Sequence, residues 1–405
     1  MPITAEKQGV TVCRHGARHF STPPGVIRSV GLLEEISSGE CFDAPFADEK
    51  PLALYGAGNF GHMAADVLNA LWMKPAFIAD RNAAVVAKDP AWNETPVFKP
   101  EDVPDAMKAS HQLLVTVATA PYVPIETYLM DLGFKHVLPF YEFSERYRHI
   151  HPLSNGWRTE KITATDQAMI ANVLQGLEDD ASRAHHLQFL AWRRLRQEWT
   201  FDGAPIRGAD RFFIPEVTSV LRPGEHFLDG GAHHGAVSSA FASLRPDWGA
   251  ITAFEPDAAN RAIASETYAN RFSEPARQPR LHAHALAAGT GTGMFHSGLG
   301  YASQLSRTGR DEVRLAPLDE MGIRPSFVKL HLEGGELDAL KGGQRMLAKH
   351  RPIIAATIYH NDDGVWRTPL YLMHTLKDYR FLIRLHSWCG TGAVLYAIPR
   401  ERSAA

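Results

Sequence analysis

Several acids and histidines stand at the ends of short apolar runs, a placement suited to chemistry. Asp229 ends one run and is followed at once by glycines and two histidines in "FLDGGAHHG". Glu255 ends another in "ITAFEP". His331, Glu333 and Glu336 crowd the end of a third in "FVKLHLEGGE", and His360 opens "HNDDGVW" after a fourth. Carboxylates accept hydrogen bonds from hydroxyl groups, and imidazole exchanges protons near neutral pH. An open α/β sheet gathers such groups in the crevice beyond the carboxyl ends of its strands.

The loop after Asp229 is the more telling of two glycine loops. A carboxylate directly before the glycines opposes a phosphate and attracts a cation. Ala232 stands where the dinucleotide pattern has its middle glycine. The common ligand joining a ribose to a cationic amino acid is S-adenosylmethionine. Gly230, Gly231 and Gly235 would let the backbone approach it closely. Glu255 is positioned to accept from both ribose hydroxyls. The alternative is a tight strand–helix turn capped by an acid.

The other loop, "GAGNFG", fits G-x-G-x-x-G with Gly56, Gly58 and Gly61, and Asp80 ends the next strand at the place of a ribose-binding acid. Tyr55 precedes it, so no carboxylate repels a pyrophosphate at the helix N-terminus. A dinucleotide or nucleotide-sugar is the ligand for such a loop. A vestigial, empty site is the alternative.

Elements must carry these loops. "PLALYGAGNFGHMAADVLNALW" reads as strand, turn and amphipathic helix, with further strands in "PAFIAD", "HQLLVTVAT" and "KHVLPF". Alternation of strands and helices implies a parallel sheet. Residues 160–200 keep helical spacing throughout, and Val26–Ser38 reads as one helix. Arg193, Arg194 and Arg196 are expected on a solvated helix face. From Glu225 the alternation restarts with "HFLDGG", "AITAF", "LHAHAL", "FVKLHLE", "PIIAATIY", "FLIRLHSW" and "AVLYAIP". The last two are joined through "CGTG" as an antiparallel hairpin. The expected divisions are an extension over 1–50, a small Rossmann-like domain of nucleotide-binding type over 51–150, a helical connector over 151–215 and a second α/β domain over 216–405. The fold class is therefore α/β with two Rossmann-like domains.

The bulk numbers narrow the function classes. A chain of 405 residues with 45% hydrophobic and 21% charged residues is globular, and a net charge of −3 gives no footprint for nucleic acid. Three scattered cysteines do not make a disulfide framework, and no apolar run reaches membrane-spanning length, so a cytoplasmic location is expected.

The segments "RFFIPEV", "FLDGGAHHG", "ITAFEPDAAN", "HALAAGTG", "LDEMGIRPSFVKLHLEGGELDALKGG" and "RPIIAATIYHNDDGVWRTPLYLMHTLKDYRFLIRLHS" resemble the FkbM-type family of S-adenosylmethionine-dependent methyltransferases. The resemblance runs from about Arg211 to Pro399. The spacing K-x-x-x-E-G-x-E-x-x-x-L-K-G, from Lys329 to Gly342, is its most specific part. It implies a class I methyltransferase fold over the last domain. Asp229, Gly230, Gly231, Ala232, Gly235 and Glu255 would then line the cofactor, and Ala285 would border the adenine. The family usually has aspartate where this chain has His331.

The expected reaction is O-methylation of a hydroxyl on a sugar or other small polar metabolite. His331 is the expected general base, with Glu333 on the same strand face orienting it or bonding the acceptor. Glu336 lies beside them. His360 lines the acceptor side with Asp362 and Trp366, although a tryptophan such as Trp366 more often serves plain packing than sugar stacking. No metal is assigned: His233, His234, His282 and His284 are read as hydrogen-bonded pocket or surface groups, and a zinc or manganese site drawing on them with His331 and Glu333 is the alternative. Two other readings stand open. One is an NAD- or nucleotide-sugar-binding protein, an oxidoreductase among them, working through the first loop. The other is a non-catalytic binding protein with a degenerate methyltransferase domain.

Overall fold

The apolar runs "LALY", "QLLV" and "HVLP" become strands Leu52–Tyr55, Gln112–Val115 and His136–Pro139 because helices bury both of their faces, the condition for a parallel sheet. These belong to a computed structural model of the chain that describes residues 15–40, 46, 49–154, 161–274 and 277–402. Cys13 and Cys41 lie outside the described residues. Ile78–Ala79 and an edge strand missed in the sequence, Val97–Phe98, complete a five-stranded parallel sheet. The glycine loop joins Leu52–Tyr55 to helix Asn59–Ala70.

The second sheet has seven strands. Across it run Arg280–His282, Ala250–Phe254, His226–Gly230, Phe327–Leu330, Ile353–Thr357, Ala393–Pro399 and Tyr379–Leu385. Every pairing is parallel except those of Ala393–Pro399, which forms the expected hairpin with Tyr379–Leu385. Chain order reverses between His226–Gly230 and Phe327–Leu330, so a crevice opens there. Phe227, Phe241 and Phe327 pack beneath it in a buried aromatic cluster.

Three expectations fail. "LHAHAL" is not one strand: it breaks after His282, and Ala285–Leu286 pairs with Asp311–Ala316 in a separate four-stranded sheet with Gly291–His296 and Gln304–Leu305. Helical spacing does not run to 200, because Arg196 takes a left-handed turn (φ 56°) and Gln197–Phe201 pairs with Gly16–Phe20. The arginines of helix Asp180–Leu195 are not solvated: the helix is buried from Ser182 to Leu195. Strand Tyr379–Leu385 bonds to it through Ile383 N–Ser182 Oγ (3.0 Å) and Leu385 N–His185 Nδ1 (3.0 Å). The guanidinium groups end on carbonyls at its margins. Arg193 donates to Gly390 O (3.0 Å), Arg194 to Gly39 O (2.8 Å), and Arg196 to Trp192 O (3.1 Å) and Glu142.

Candidate active site

Strand His226–Gly230 delivers Asp229 to the floor of the second glycine loop, where the side chain is fully buried. Its charge is already matched. Lys329, from the neighbouring strand, donates from Nζ to Asp229 Oδ1 (2.9 Å), and Ser238 Oγ donates to Oδ2 (2.7 Å). The same ammonium holds the carbonyls of Gly231 (2.7 Å) and Gly230 (3.2 Å). Asp229 therefore does not offer its carboxylate to the crevice as the sequence suggested. It fixes the lysine that shapes the loop. The signal for Lys329 was present in the sequence, as one cation inside the apolar run "FVKL".

The crevice has Gly231, His233, Glu255, His284, Ala285 and His331 among the residues of its wall. Gly231 allows the loop to lie against the next strand. Its φ is +74°, and a Cβ there would stand 2.0 Å from His331 O. The amides of Gly231 and Ala232 both donate to Phe254 O (3.0 Å each), so they are spent on the fold. Ala232 is buried, Gly230 ends its strand against Leu330, and Gly235 opens helix Ala236–Leu244 against the Tyr268 ring.

Glu255 accepts from His233 N (2.7 Å) and Asp257 N (2.9 Å), which turns its carboxylate over the loop. Burial raises its pKa to about 7 against the opposing pull of those two amides. His233 stacks on His234 at 3.6 Å and is lowered to about 4, mainly by burial and then by His234. His282 stacks on Phe254 and reaches His284 only as a neighbouring ring, at 6.4 Å.

The neighbouring strand ends at Leu330, so His331 and Glu333 do not alternate along it as expected. They meet through a turn in which Glu333 takes φ +50° and Gly334 φ +108°. His331 Nε2 lies 2.9 Å from Glu333 Oε1 and 3.2 Å from the Tyr359 hydroxyl. His360 Nε2 lies 3.3 Å from Glu333 Oε2. Glu336 is turned away from the crevice: it accepts from Thr357 Oγ1 (2.5 Å), Leu332 N (2.9 Å) and Gly334 N (3.0 Å), and its Oε1 lies 2.9 Å from His360 Nδ1. It positions the loop and the His360 ring.

Charge separates the two histidines. Burial, then the nearby Arg211, lowers His331 to about 3, so it is neutral near pH 7. Burial also opposes a charge on His360, but Glu333, Tyr359 and Glu336 outweigh it and raise that pKa well above the ordinary value. Despite burial, His360 and His331 hold Glu333 well below the carboxylate range. His360 and Asp362 line a second open cleft with Arg148, Lys341 and Arg367. Trp366 packs on the core.

In the first loop, Asp80 Oδ2 accepts from Ala57 N (2.9 Å) and Oδ1 from Asn82 N (2.7 Å). Gly56 has φ +100°, Gly58 caps the helix, and Gly61 lies against Gly56 O. Phe60 packs on Phe140 and Tyr141. The first-loop residues are thus brought together, apart from the crevice of the second loop.

Residues 229–383 match the family model described as the methyltransferase FkbM domain. The chain carries an FkbM methyltransferase domain. The methyltransferase FkbM from Methylobacillus flagellatus KT has a similar structure: TM-score 0.64 at 16% identity, covering 92% of this chain and 98% of that one. That likeness shows a shared fold over both sheets. A precorrin-6y C5,15-methyltransferase from Geobacter metallireducens GS-15 aligns with TM-score 0.30 at 15% identity, over 49% of this chain and 95% of that one. None of the curated proteins compared matches the chain. Among the described residues, no helix is long and apolar enough to cross a membrane.

Proposed function

We propose that this protein transfers the methyl group of S-adenosylmethionine to a hydroxyl of a sugar or other small polar metabolite. The observation that carries this is the crevice of the FkbM domain, which Glu255, the loop from Gly231 to His233 and His331 line together. Glu255 takes the ribose hydroxyls, and the wall around Ala285 takes the adenine. Asp229 and Gly235 act indirectly, by fixing the loop and the helix that follows it.

On the acceptor side, neutral His331 receives the hydroxyl proton as the oxygen attacks the methyl carbon, the C–S bond breaks and sulfur keeps the pair. Glu333 orients His331, and His360 and Glu336 hold Glu333 in place. The charged rim of the second cleft suits a small polar acceptor. The first loop is outside this reading, since Asp80 already closes on Ala57. The division into an extension, a first Rossmann-like domain, a connector and a methyltransferase domain from 216 is part of the same proposal.

Calorimetric titration with S-adenosylmethionine, NAD and a nucleotide-sugar tests it. The methyl donor alone is expected to bind, one per chain. Binding of NAD without the donor would sink the proposal.

A further inference from the structure

We propose that His331, Glu333 and His360 form a binding site for a divalent transition-metal ion, open on one side to the acceptor hydroxyl. Three ligand atoms, one from each residue, lie within 4.8 Å of one another. Convergence of this kind, from two imidazoles and one carboxylate, is the donor set of catalytic zinc and related sites that keep a position free. Two nitrogen donors out of three favour zinc and its neighbours over magnesium or calcium, which take oxygen.

Two further observations point to a ligand. His360 is only 5% exposed, and its Nε2 has no hydrogen-bond partner, although the Glu333 carboxylate lies 3.3 Å away at a poor angle. The opposite ring nitrogen, Nδ1, is fixed by Glu336 Oε1 at 2.9 Å, and Glu336 is itself held by Thr357 and two backbone amides. A carboxylate that bonds the far nitrogen of a histidine and presents the near one is the usual support of a metal-bound imidazole. The left-handed backbone at Glu333 fits the same purpose. A non-glycine residue is strained there, and the turn sets its carboxylate between both rings.

This rests on the acceptor-side reading above and deepens it. With the ion bound, His331 serves as a ligand instead of a base. A substrate hydroxyl at the open position is acidified by the ion, gives its proton to water, and attacks the methyl carbon as the C–S bond breaks with its pair on sulfur. Loss of rate in His331→Ala is expected of either form, so the ion must be observed directly.

The full-length protein, stripped with a chelator and dialysed, is titrated with Co²⁺ by visible absorption and with Zn²⁺ by calorimetry. The expected result is one ion per chain, with cobalt ligand-field bands. Affinity should fall at least about tenfold in both His360→Ala and the shape-preserving Glu333→Gln, and stay unchanged in His374→Ala, at an exposed position. Thermal melts of the unloaded variants check that each is folded. No saturable ion, or equal affinity in wild type and both folded variants, overturns the site. The same stripped protein is titrated with S-adenosylmethionine. Donor binding without metal binding rejects the metal site alone, and binding of neither rejects the proposed function as well.

Discussion

The two glycine loops are built alike and charged differently. Each follows a parallel strand, opens a helix, and receives a carboxylate from the next strand: Asp80 on Ala57 N at 2.9 Å, Glu255 on His233 N at 2.7 Å. Each also has its carbonyls held by a residue from the neighbouring strand or the turn after it. In the first loop that is the Thr116 hydroxyl, bonded to Tyr55 O (2.9 Å) and Gly56 O (2.6 Å). In the second it is Lys329, whose charge requires the buried Asp229. A neutral hydroxyl is thus enough to shape such a loop. Burying an ion pair to do the same work costs several kcal/mol of desolvation. That excess sets the second loop apart from the first.

The largest effect should fall on chemistry at the second loop. His331→Ala is expected to lower the methyl-transfer rate by about 10²–10⁴-fold while donor affinity stays within a factor of two or so, because the proposed donor contacts come from Glu255 and the glycine loop and not from the His331 ring. Single-turnover assays beside calorimetry separate the two quantities, and an unchanged rate would remove His331 from the reaction.

Next comes the contrast in what holds the loops. Lys329→Met leaves Asp229 buried and unpaired, and should cost about 3–5 kcal/mol of stability. Thr116→Val removes only neutral bonds, about 1–2 kcal/mol. Urea denaturation measures both. Equal costs would show that charge does nothing special at the second loop.

A smaller, pH-dependent effect belongs to Glu255. With its folded pKa raised to about 7 from an ordinary 4.5, the neutral form favours the fold. Its contribution to stability is complete below pH 4.5 and is lost as pH climbs through 7. Donor binding wants the carboxylate, so affinity should rise by about tenfold between pH 6 and pH 8, and Glu255→Gln should flatten both trends. An affinity that falls over this range would deny Glu255 the ribose.

The smallest change expected is at the first loop. Gly58 has open space around it and an ordinary extended backbone, so Gly58→Ala meets no clash and should cost only what alanine loses to glycine at an N-cap, about 0.5–1 kcal/mol, read from the shift in thermal midpoint.

How much of this could be read from the chain alone depended on whether the cause was local. Strands such as "AITAF" and "AVLYAIP" are legible because burial on both faces leaves an unbroken apolar run. The sheet around Gly291–His296 was missed because "GTGMFH" has glycine and exposed positions that read as a turn. Helix Asp180–Leu195 was misread because arginine normally marks solvent, whereas here three guanidiniums find carbonyls or a carboxylate. At the site, the strand ends located Asp229, Glu255 and His331. What each side chain does was not legible: Lys329 lies 100 residues from Asp229, and Glu336 meets His360 24 residues away. The meeting of His331 with Glu333 depends on a turn where alternation predicted a strand.

Helix Asp180–Leu195 has a practical consequence for anyone who would cut the protein at its family boundaries. Strand Tyr379–Leu385 rests on it, and strand Ala393–Pro399, which completes the second sheet, lies beyond the matched segment. A fragment spanning 229–383 would lose the strand that joins Tyr379–Leu385 to Ile353–Thr357 and, at the same edge, bare the apolar face that rests on the helix, inviting aggregation. The transferase half therefore has to be made together with the helices that precede it.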